Sequence, residues 1–316
     1  MSESFRADVL AGLRARPRAI PARWFYDRRG SELFEAITQL PEYYPTRAET
    51  AVLAAIGPEL AELTGRGRAV VEFGSGSSAK TPLLLRAVEP SAYVPIDISG
   101  AFLREAATEL AADFPSLPVL PVEADFTRPL SLPDAVTGDA KLGFFPGSTI
   151  GNLAPAEAVD LLRGMRDTLG ANEHGRAQLL IGMDRVKNRD MLLAAYDDAA
   201  GVTAAFNLNL LERINRELDG TMPVEAFTHQ ARWNDGAARI EMHLVADRDV
   251  AFEVAGERFA IDEGETIHTE NSHKYGPRDA RLLLRAGGWT PVSEWADPEG
   301  LFAVFLAEAR APERAP

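Results

Sequence analysis

Three acidic residues stand at or just beyond the ends of three successive apolar runs. Glu72 sits in Val70-Val71-Glu72-Phe73, Asp97 closes Tyr93-Val94-Pro95-Ile96-Asp97, and Asp125-Phe126 follows the run from Val119 to Val122. The first run enters Gly74-Ser75-Gly76-Ser77-Ser78-Ala79-Lys80-Thr81, where glycines at 74 and 76 permit a tight turn and a closer approach to a ligand than any Cβ would allow. A β-branched run, a glycine turn and a helix in that order build a nucleotide-binding edge. Two cofactor classes compete for it. With Ala79 in third place the loop satisfies the loose dinucleotide fingerprint, so a nicotinamide enzyme has to be considered. Glu72 points instead to S-adenosylmethionine, since a carboxylate near the loop suits a cationic amino-acid end and is awkward beside a pyrophosphate. Asp97, 21 positions after Gly76, can accept both hydroxyls of a ribose. Asp125 offers an acceptor for an adenine amine, and Phe126 a face to stack on it. Asp97 and Asp125 would be mere helix caps on the plainest reading. Three acids at three successive strand ends weigh against that.

A second group lies at the end of a fourth run, in Phe144-Phe145-Pro146-Gly147-Ser148-Thr149-Ile150-Gly151-Asn152-Leu153. In many methyltransferases the acceptor nitrogen sits over this loop. Gly147 and Gly151 allow close approach, and the Asn152 amide can hold a substrate carboxylate. Alternatively Asn152 is a turn residue, or the cap of a helix from Pro155 to Leu169.

Other chemistries find less support. Without cysteine there is no disulfide, thiol nucleophile or thiolate metal site, which fits a reducing compartment. The five histidines, His174, His229, His243, His268 and His273, show neither the helical i, i+4 pair nor the tight spacing that metal ligation favours, and no metal is expected. A net charge of -14 disfavours nucleic acid and anionic membrane as partners, leaving a small molecule. Met1 to Leu13 holds no unbroken apolar core, and no segment approaches the ~20 apolar residues that span a bilayer. A cytoplasmic, monomeric protein is the expectation.

The elements that must position these residues follow from periodicity. Helical stretches are expected over Ser2 to Arg16, Ser31 to Thr38 and Thr46 to Thr64, separated by prolines and by the aromatic cluster Trp24-Phe25-Tyr26-Asp27, so that the N-terminal segment is a cap with no strand. From Ala69, short apolar strands (Ala69 to Phe73, Ala92 to Ile96, Val119 to Val122, Gly143 to Pro146, Gln178 to Met183) alternate with amphipathic helices. That pattern implies a parallel sheet covered on both faces, an α/β doubly wound class. After Asp184 the alternation breaks. One long helical region from Asn188 to Glu217 precedes strands at Phe227 to Trp233, Arg239 to Asp247, Val250 to Val254 and Glu257 to Ile261, an antiparallel α+β insertion. Gly276-Pro277 marks the return, with a helix to Ala286 and two strands completing the sheet edge. The expected divisions are an N-terminal helical cap over 1–48 that forms part of a substrate domain, a cofactor domain over 49–185, the insertion over 186–275 and a C-terminal return over 276–316. The tail Ala311 to Pro316 reads as disordered.

Several blocks together resemble one family in order along almost the whole chain. They are Tyr26-Asp27, Phe34, Leu40-Pro41-Glu42-Tyr43-Tyr44-Pro45-Thr46-Arg47-Ala48-Glu49, Glu72 to Ser77, Gly147 to Leu153, and Tyr196 to Asn207. The family is the L-histidine Nα-methyltransferases of ergothioneine biosynthesis. The resemblance implies a Rossmann-like methyltransferase sheet with an inserted substrate-binding domain, and three methyl transfers from S-adenosylmethionine to the α-amine of histidine, giving hercynine. It further implies that Tyr43, Gly74, Lys80, Asp97, Asp125 and Phe126 contact the methyl donor. Asn152 and Tyr196 would hold the substrate carboxylate, Tyr26, Thr149 and the Gly147 backbone would surround the amine, and Met242, Glu270 and Ser272 would receive the imidazole. Thr269-Glu270-Asn271-Ser272 departs from some relatives, which carry an apolar residue between the acid and the serine.

The residues themselves are consistent with that assignment. On a strand, Glu270 and Ser272 face the same way and Asn271 the other, offering an imidazole one carboxylate and one hydroxyl. A pocket built to bond a ring nitrogen rejects analogues that lack it, often by ~10^4. Against this stand a solvated strand face in a charged region, methylation of another aromatic amino acid such as tryptophan or tyrosine (Glu270 and Met242 being the discriminating residues), and a binding protein without turnover.

Overall fold

The structure is a computed structural model in which residues 3–76, 80–170 and 177–309 are described. Ser77, Ser78 and Ala79, on which the dinucleotide fingerprint rests, lie outside the described residues, as do His174 and the tail. In chain order the elements are α1 (Glu3–Arg14), β1 (Arg18–Ala19), α2 (Arg28–Thr38), α3 (Tyr44–Thr64), β2 (Ala69–Phe73), α4 (Thr81–Val88), β3 (Ala92–Asp97), α5 (Gly100–Asp113), β4 (Val122–Glu123), β5 (Lys141–Phe145), α6 (Pro155–Thr168) and β6 (Gln178–Asp184). They continue with α7 (Arg189–Tyr196), α8 (Val202–Glu217), β7 (Phe227–Asn234), β8 (Arg239–Ala246), β9 (Val250–Val254), β10 (Glu257–Ile261), β11 (Thr266–His273), α9 (Pro277–Ala286), β12 (Trp289–Ala296) and β13 (Phe302–Ala309). The chain divides into two compact units, Met1–Tyr44 with Lys187–His273, and Pro45–Val186 with Lys274–Pro316.

The second of these is built on a seven-stranded sheet of order β12-β13-β6-β5-β2-β3-β4. β2, β5 and β6 are buried along their whole length, as central parallel strands covered on both faces must be. Successive side chains go to opposite faces. Val71, Phe73, Val94, Ile96, Phe145 and Ile181 pack with Leu161, Leu162 and Met165 of α6 and Leu284 of α9. Val70, Leu142, Phe144, Leu180 and Val304 pack with Val52, Leu53, Ile56 and Leu60 of α3 and with α4. The sheet is therefore doubly wound. β13 runs antiparallel to β6 and β12 antiparallel to β13, so the C-terminal return closes the edge as a hairpin. The third parallel strand is shorter than expected: only Val122 and Glu123 pair with β3, apart from a bridge between Tyr93 and Val119. Pro118 and Pro121 supply no amide to a longer ladder.

The first unit holds a four-stranded sheet of order β1-β11-β8-β7 and the hairpin β9-β10. The expectation of a strand-free N-terminal cap is corrected here, since Arg18 and Ala19 run parallel to β11 opposite Ile267 and His268. Two residues carry too little pattern to announce a strand; Gly12, whose absent Cβ would lie 2.0 Å from the Ala19 carbonyl oxygen, lets α1 lie against it. The single helix expected over 188–217 is two. Asp198 accepts amides of Val202 and Thr203 at 3.0 and 2.8 Å, and Gly201 at φ +74 turns the chain between them. Among the described residues, no helix is long and apolar enough to cross a membrane.

Candidate functional site

In the unit with the seven-stranded sheet, β2 ends in a turn that the neighbouring strand shapes. The amides of Gly74 and Ser75 both bond the Ile96 carbonyl, at 2.8 and 3.1 Å, and Asp97 receives the amides of Gly76 at 3.0 Å and Ser99 at 2.9 Å. Asp97 thus joins the glycine turn to the start of α5, and each of its oxygens keeps a lone pair for a further donor. Gly74 has φ +74, and a Cβ there would meet the Phe126 ring at 3.2 Å, so the glycine is required both by the backbone and by the ring beside it. Asp125 caps a turn and not a helix: Thr127 gives it an amide at 3.0 Å and a hydroxyl at 2.5 Å, with Phe126 half-buried next to it. Gly74, Asp97, Asp125 and Phe126 therefore sit at three adjacent strand ends, two acceptors, a glycine and an aromatic face that fit an adenosine.

Glu72 is held by side chains beside the loop. Its buried carboxylate accepts the hydroxyls of Tyr93 at 2.6 Å and Thr81 at 2.7 Å. Burial raises its pKa to about 7, against the pull of those two bonds and of Lys80. The acid preceding the glycines thus braces β2 against β3 and α4.

The loop after β5 turns through Gly147 at φ +77 and Ser148 at φ +57 into a short 3-10 helix, Thr149–Asn152. The Thr149 hydroxyl donates to the Pro146 carbonyl at 3.0 Å, while the Ser148 hydroxyl accepts the amide of Asp184 at 2.9 Å. Asn152 closes the 3-10 helix, half-buried. Sequence reasoning assigned no role to Glu49. It is fully buried, accepts the Gly147 amide at 2.9 and 3.1 Å, and is ion-paired with Lys80. A signal existed: Glu49 lies on the apolar stripe of α3 with Val52, Leu53, Ile56 and Leu60, a poor place for an unpaired acid.

In the other unit, β11 brings Glu270 opposite Met242 and Ser272 opposite Ile240. Glu270, Ser272 and Met242 therefore share one face, with Asn271 on the other opposite Glu241. Tyr196, the last residue of α7, meets Ser272 at 2.7 Å, both buried. Tyr43 packs edge-on to Tyr196 and Phe34 at 6.1 and 6.2 Å, and Tyr26 edge-on to Phe34 and Phe206 at 5.7 Å. Tyr43 belongs to this unit, unlike the other residues expected at the donor. A buried chain stands behind the face: Thr269 donates to Asn207 at 2.8 Å, Asn207 donates to His229 Nδ1 at 2.8 Å, and His229 Nε2 bonds the Tyr196 carbonyl at 2.8 Å. Burial lowers the His229 pKa, which keeps the neutral ring this chain requires.

Spacing also concealed a cluster on the opposite face. The ligand-capable atoms of Glu241, His243 and His268 all lie within 4.8 Å of one another. A register shift between His268 and Glu270 places His268 opposite His243, and the two rings stack at 4.8 Å with an 18° tilt. Lone pairs in two nearly parallel ring planes do not converge on one ion, and Glu241 is already held by Arg239 at 2.6 Å and by Asn234 at 2.9 Å. Burial brings the His243 pKa down to about 4, and these contacts bring Glu241 down to about 2 despite its burial.

Residues 5–309 match the family described as histidine-specific methyltransferase, SAM-dependent. The histidine N-alpha-methyltransferase of Mycolicibacterium smegmatis is 41% identical over 97% of this chain and 95% of its own. That of Mycobacterium tuberculosis is 40% identical over 96% and 94%. Ergothioneine biosynthesis protein 1 of Neurospora crassa is 30% identical over 93% of this chain, which spans 34% of that protein. Among solved structures, an S-adenosylmethionine-dependent methyltransferase from Clostridium acetobutylicum superposes with a TM-score of 0.53 at 10% identity, covering 89% of this chain and 99% of that one. The CcbJ methyltransferase of Streptomyces caelestis gives 0.52 at 16% identity, covering 90% and 100%. These two share the fold.

Proposed function

This chain belongs to the histidine-specific, S-adenosylmethionine-dependent methyltransferases, and we propose that it trimethylates the α-amine of L-histidine to hercynine, the first step of ergothioneine biosynthesis. It is an S-adenosylmethionine-dependent methyltransferase acting on a small molecule. The observation that best supports histidine as that molecule is the face of β11, where Glu270 and Ser272 stand two residues apart beside Met242. A carboxylate accepts a ring N–H, and a hydroxyl already engaged with Tyr196 keeps capacity to donate or accept. An aromatic side chain without ring nitrogens offers neither group a further hydrogen bond.

On this reading Gly74, Lys80, Asp97, Asp125 and Phe126 hold the methyl donor with Tyr43, Asn152 and Tyr196 hold the substrate carboxylate, and Tyr26, Thr149 and the Gly147 backbone orient the amine. The donor supplies an electrophilic methyl group on a sulfonium. The amine nitrogen's lone pair forms the new C–N bond as the C–S bond breaks, leaving a thioether, and the nitrogen sheds its proton before each attack. Thr149, whose own proton goes to Pro146, presents lone pairs that accept an amine N–H and so aim the nitrogen lone pair elsewhere. No nucleophilic side chain is needed, because positioning alone lowers such barriers by ~7 to 11 kcal/mol. After the third transfer the nitrogen has neither proton nor lone pair, and the reaction stops by itself.

The test is to offer labelled S-adenosylmethionine with each amino acid in turn and identify products by mass. Histidine carrying three methyl groups is expected; label in tryptophan or tyrosine with none in histidine would refute the substrate.

A further inference from the structure

We propose that Glu49 is a positioning residue for methyl transfer, locking the peptide at the head of the acceptor loop to the lysine at the mouth of the glycine turn. The inference deepens the functional reading above and rests on it.

The peptide unit between Pro146 and Gly147 is anchored at both of its polar groups. Its carbonyl receives the Thr149 hydroxyl at 3.0 Å, and its N–H goes to the Glu49 carboxylate, 2.9 Å from Oε2 and 3.1 Å from Oε1. A peptide held at both polar groups keeps its orientation, and Thr149 is tied to it directly through the hydroxyl it gives to the Pro146 carbonyl. The same carboxylate is ion-paired with Lys80, the residue before α4. A Cβ on Gly147 would stand 3.9 Å from the Lys80 ammonium, so lysine and loop are close neighbours. One side chain from α3 therefore ties the turn after β2 to the loop after β5.

Packing alone does not call for an acid there. Glu49 sits on the apolar stripe of α3 with no exposure, where a leucine would satisfy the core. A buried ion pair is generally no more stabilising than apolar residues of the same shape. The fold also makes room for this carboxylate: at Gly182, in the middle of β6, a Cβ would fall 2.0 Å from Glu49 Oε1. A glycine inside a buried strand commonly marks such a close approach. Charge, space and both partners are arranged around the two loops that carry Lys80 and Gly147. In-line displacement is sensitive to that arrangement, since a displacement of about 1 Å costs on the order of 100-fold in rate.

The experiment compares wild type with Glu49→Gln, which keeps the volume and one acceptor oxygen but not the charge that holds Lys80. Donor-site affinity is read by calorimetry with S-adenosylhomocysteine, thermal stability by its midpoint, and kcat and KM with whichever amino acid wild type methylates. Expected is a kcat at least ~10-fold lower, with the amino acid's KM within about 3-fold of wild type and a loss of S-adenosylhomocysteine affinity, passed on through Lys80, clearly smaller than the loss of kcat. A kcat within about 2-fold, or equal losses of kcat and S-adenosylhomocysteine affinity, would overturn the role. Should the variant not fold, Glu49→Asp, which keeps the charge but shortens the reach, is read by the same split. Wild-type turnover of an amino acid other than histidine overturns the substrate assignment and leaves the Glu49 comparison intact.

Discussion

Tyr196 and Ser272 come from elements 76 positions apart and meet hydroxyl to hydroxyl at 2.7 Å in a buried setting. Removing either group takes this buried hydrogen bond from the other. Tyr196→Phe and Ser272→Ala should each destabilise by about 1 to 2 kcal/mol in urea unfolding, and the double variant by less than their sum. On the proposed function each also raises KM for histidine while S-adenosylhomocysteine binding is unchanged. Additive losses would show that the bond carries no coupling.

Asp184 and Lys274 form an ion pair at 2.8 Å with almost no exposure on either side chain. Removing Lys274 takes the counter-ion from a buried carboxylate, so Lys274→Met should cost about 3 to 5 kcal/mol. Combining it with Asp184→Leu should recover most of that loss, because an apolar pair of similar volume is often as stable. Urea midpoints of the three variants decide it.

Glu72, whose pKa is raised from 4.5 to about 7, binds a proton in the folded state where the unfolded chain has already lost it. Fewer protons bound on unfolding mean that stability falls as pH rises through this interval and levels off above it. Glu72→Gln should flatten that slope, a difference on the order of 3 kcal/mol between pH 4.5 and pH 8. A slope unchanged by the substitution would place the proton elsewhere.

His243 acts in the opposite direction. Its pKa falls from 6.5 to about 4 through burial, with His268 and Arg232 adding to the effect and Glu241 opposing it. Between those values the unfolded chain binds a proton that the folded one refuses, so stability contributed here is full above pH 6.5 and is lost as pH falls toward 4. His243→Gln should reduce the acid lability measured by thermal melts across pH 4 to 7. His229 and His268, both also lowered by burial, act with the same sign.

Gly182→Ala drives a methyl group toward Glu49 Oε1 at 2.0 Å and the Phe302 ring at 2.8 Å. The expected cost is about 1 to 3 kcal/mol of stability, with kcat falling beyond the loss of folded protein. Unchanged midpoint and kcat would mean that Glu49 moves aside freely.

The α/β class, the central strands and the glycine turn were readable along the chain, because apolar runs between amphipathic helices and turn glycines reflect short-range sterics and periodicity. So was the inventory of acids and hydroxyls on which the proposed donor and imidazole sites rest. The reading failed where a residue's role depends on what lies across the fold. Glu72 read only as a loop acid, and the hydroxyls of Tyr93 and Thr81 that meet at its Oε2 were not legible beside it. Glu49 looked like one more charge on a helix, because Gly147, its partner, is 98 positions away.

The bulge in β11 draws the same line within one strand. Strand alternation correctly puts Glu270 and Ser272 on one face, yet it would put His268 there too. The register shift after His268 sends that ring to the other face, against His243, and leaves Glu270 opposite Met242. Local chemistry thus determined which candidate groups the chain carries. Which of them face each other was settled by sheet order, register and packing, because those arise from many weak contacts between distant segments that no short window of sequence contains.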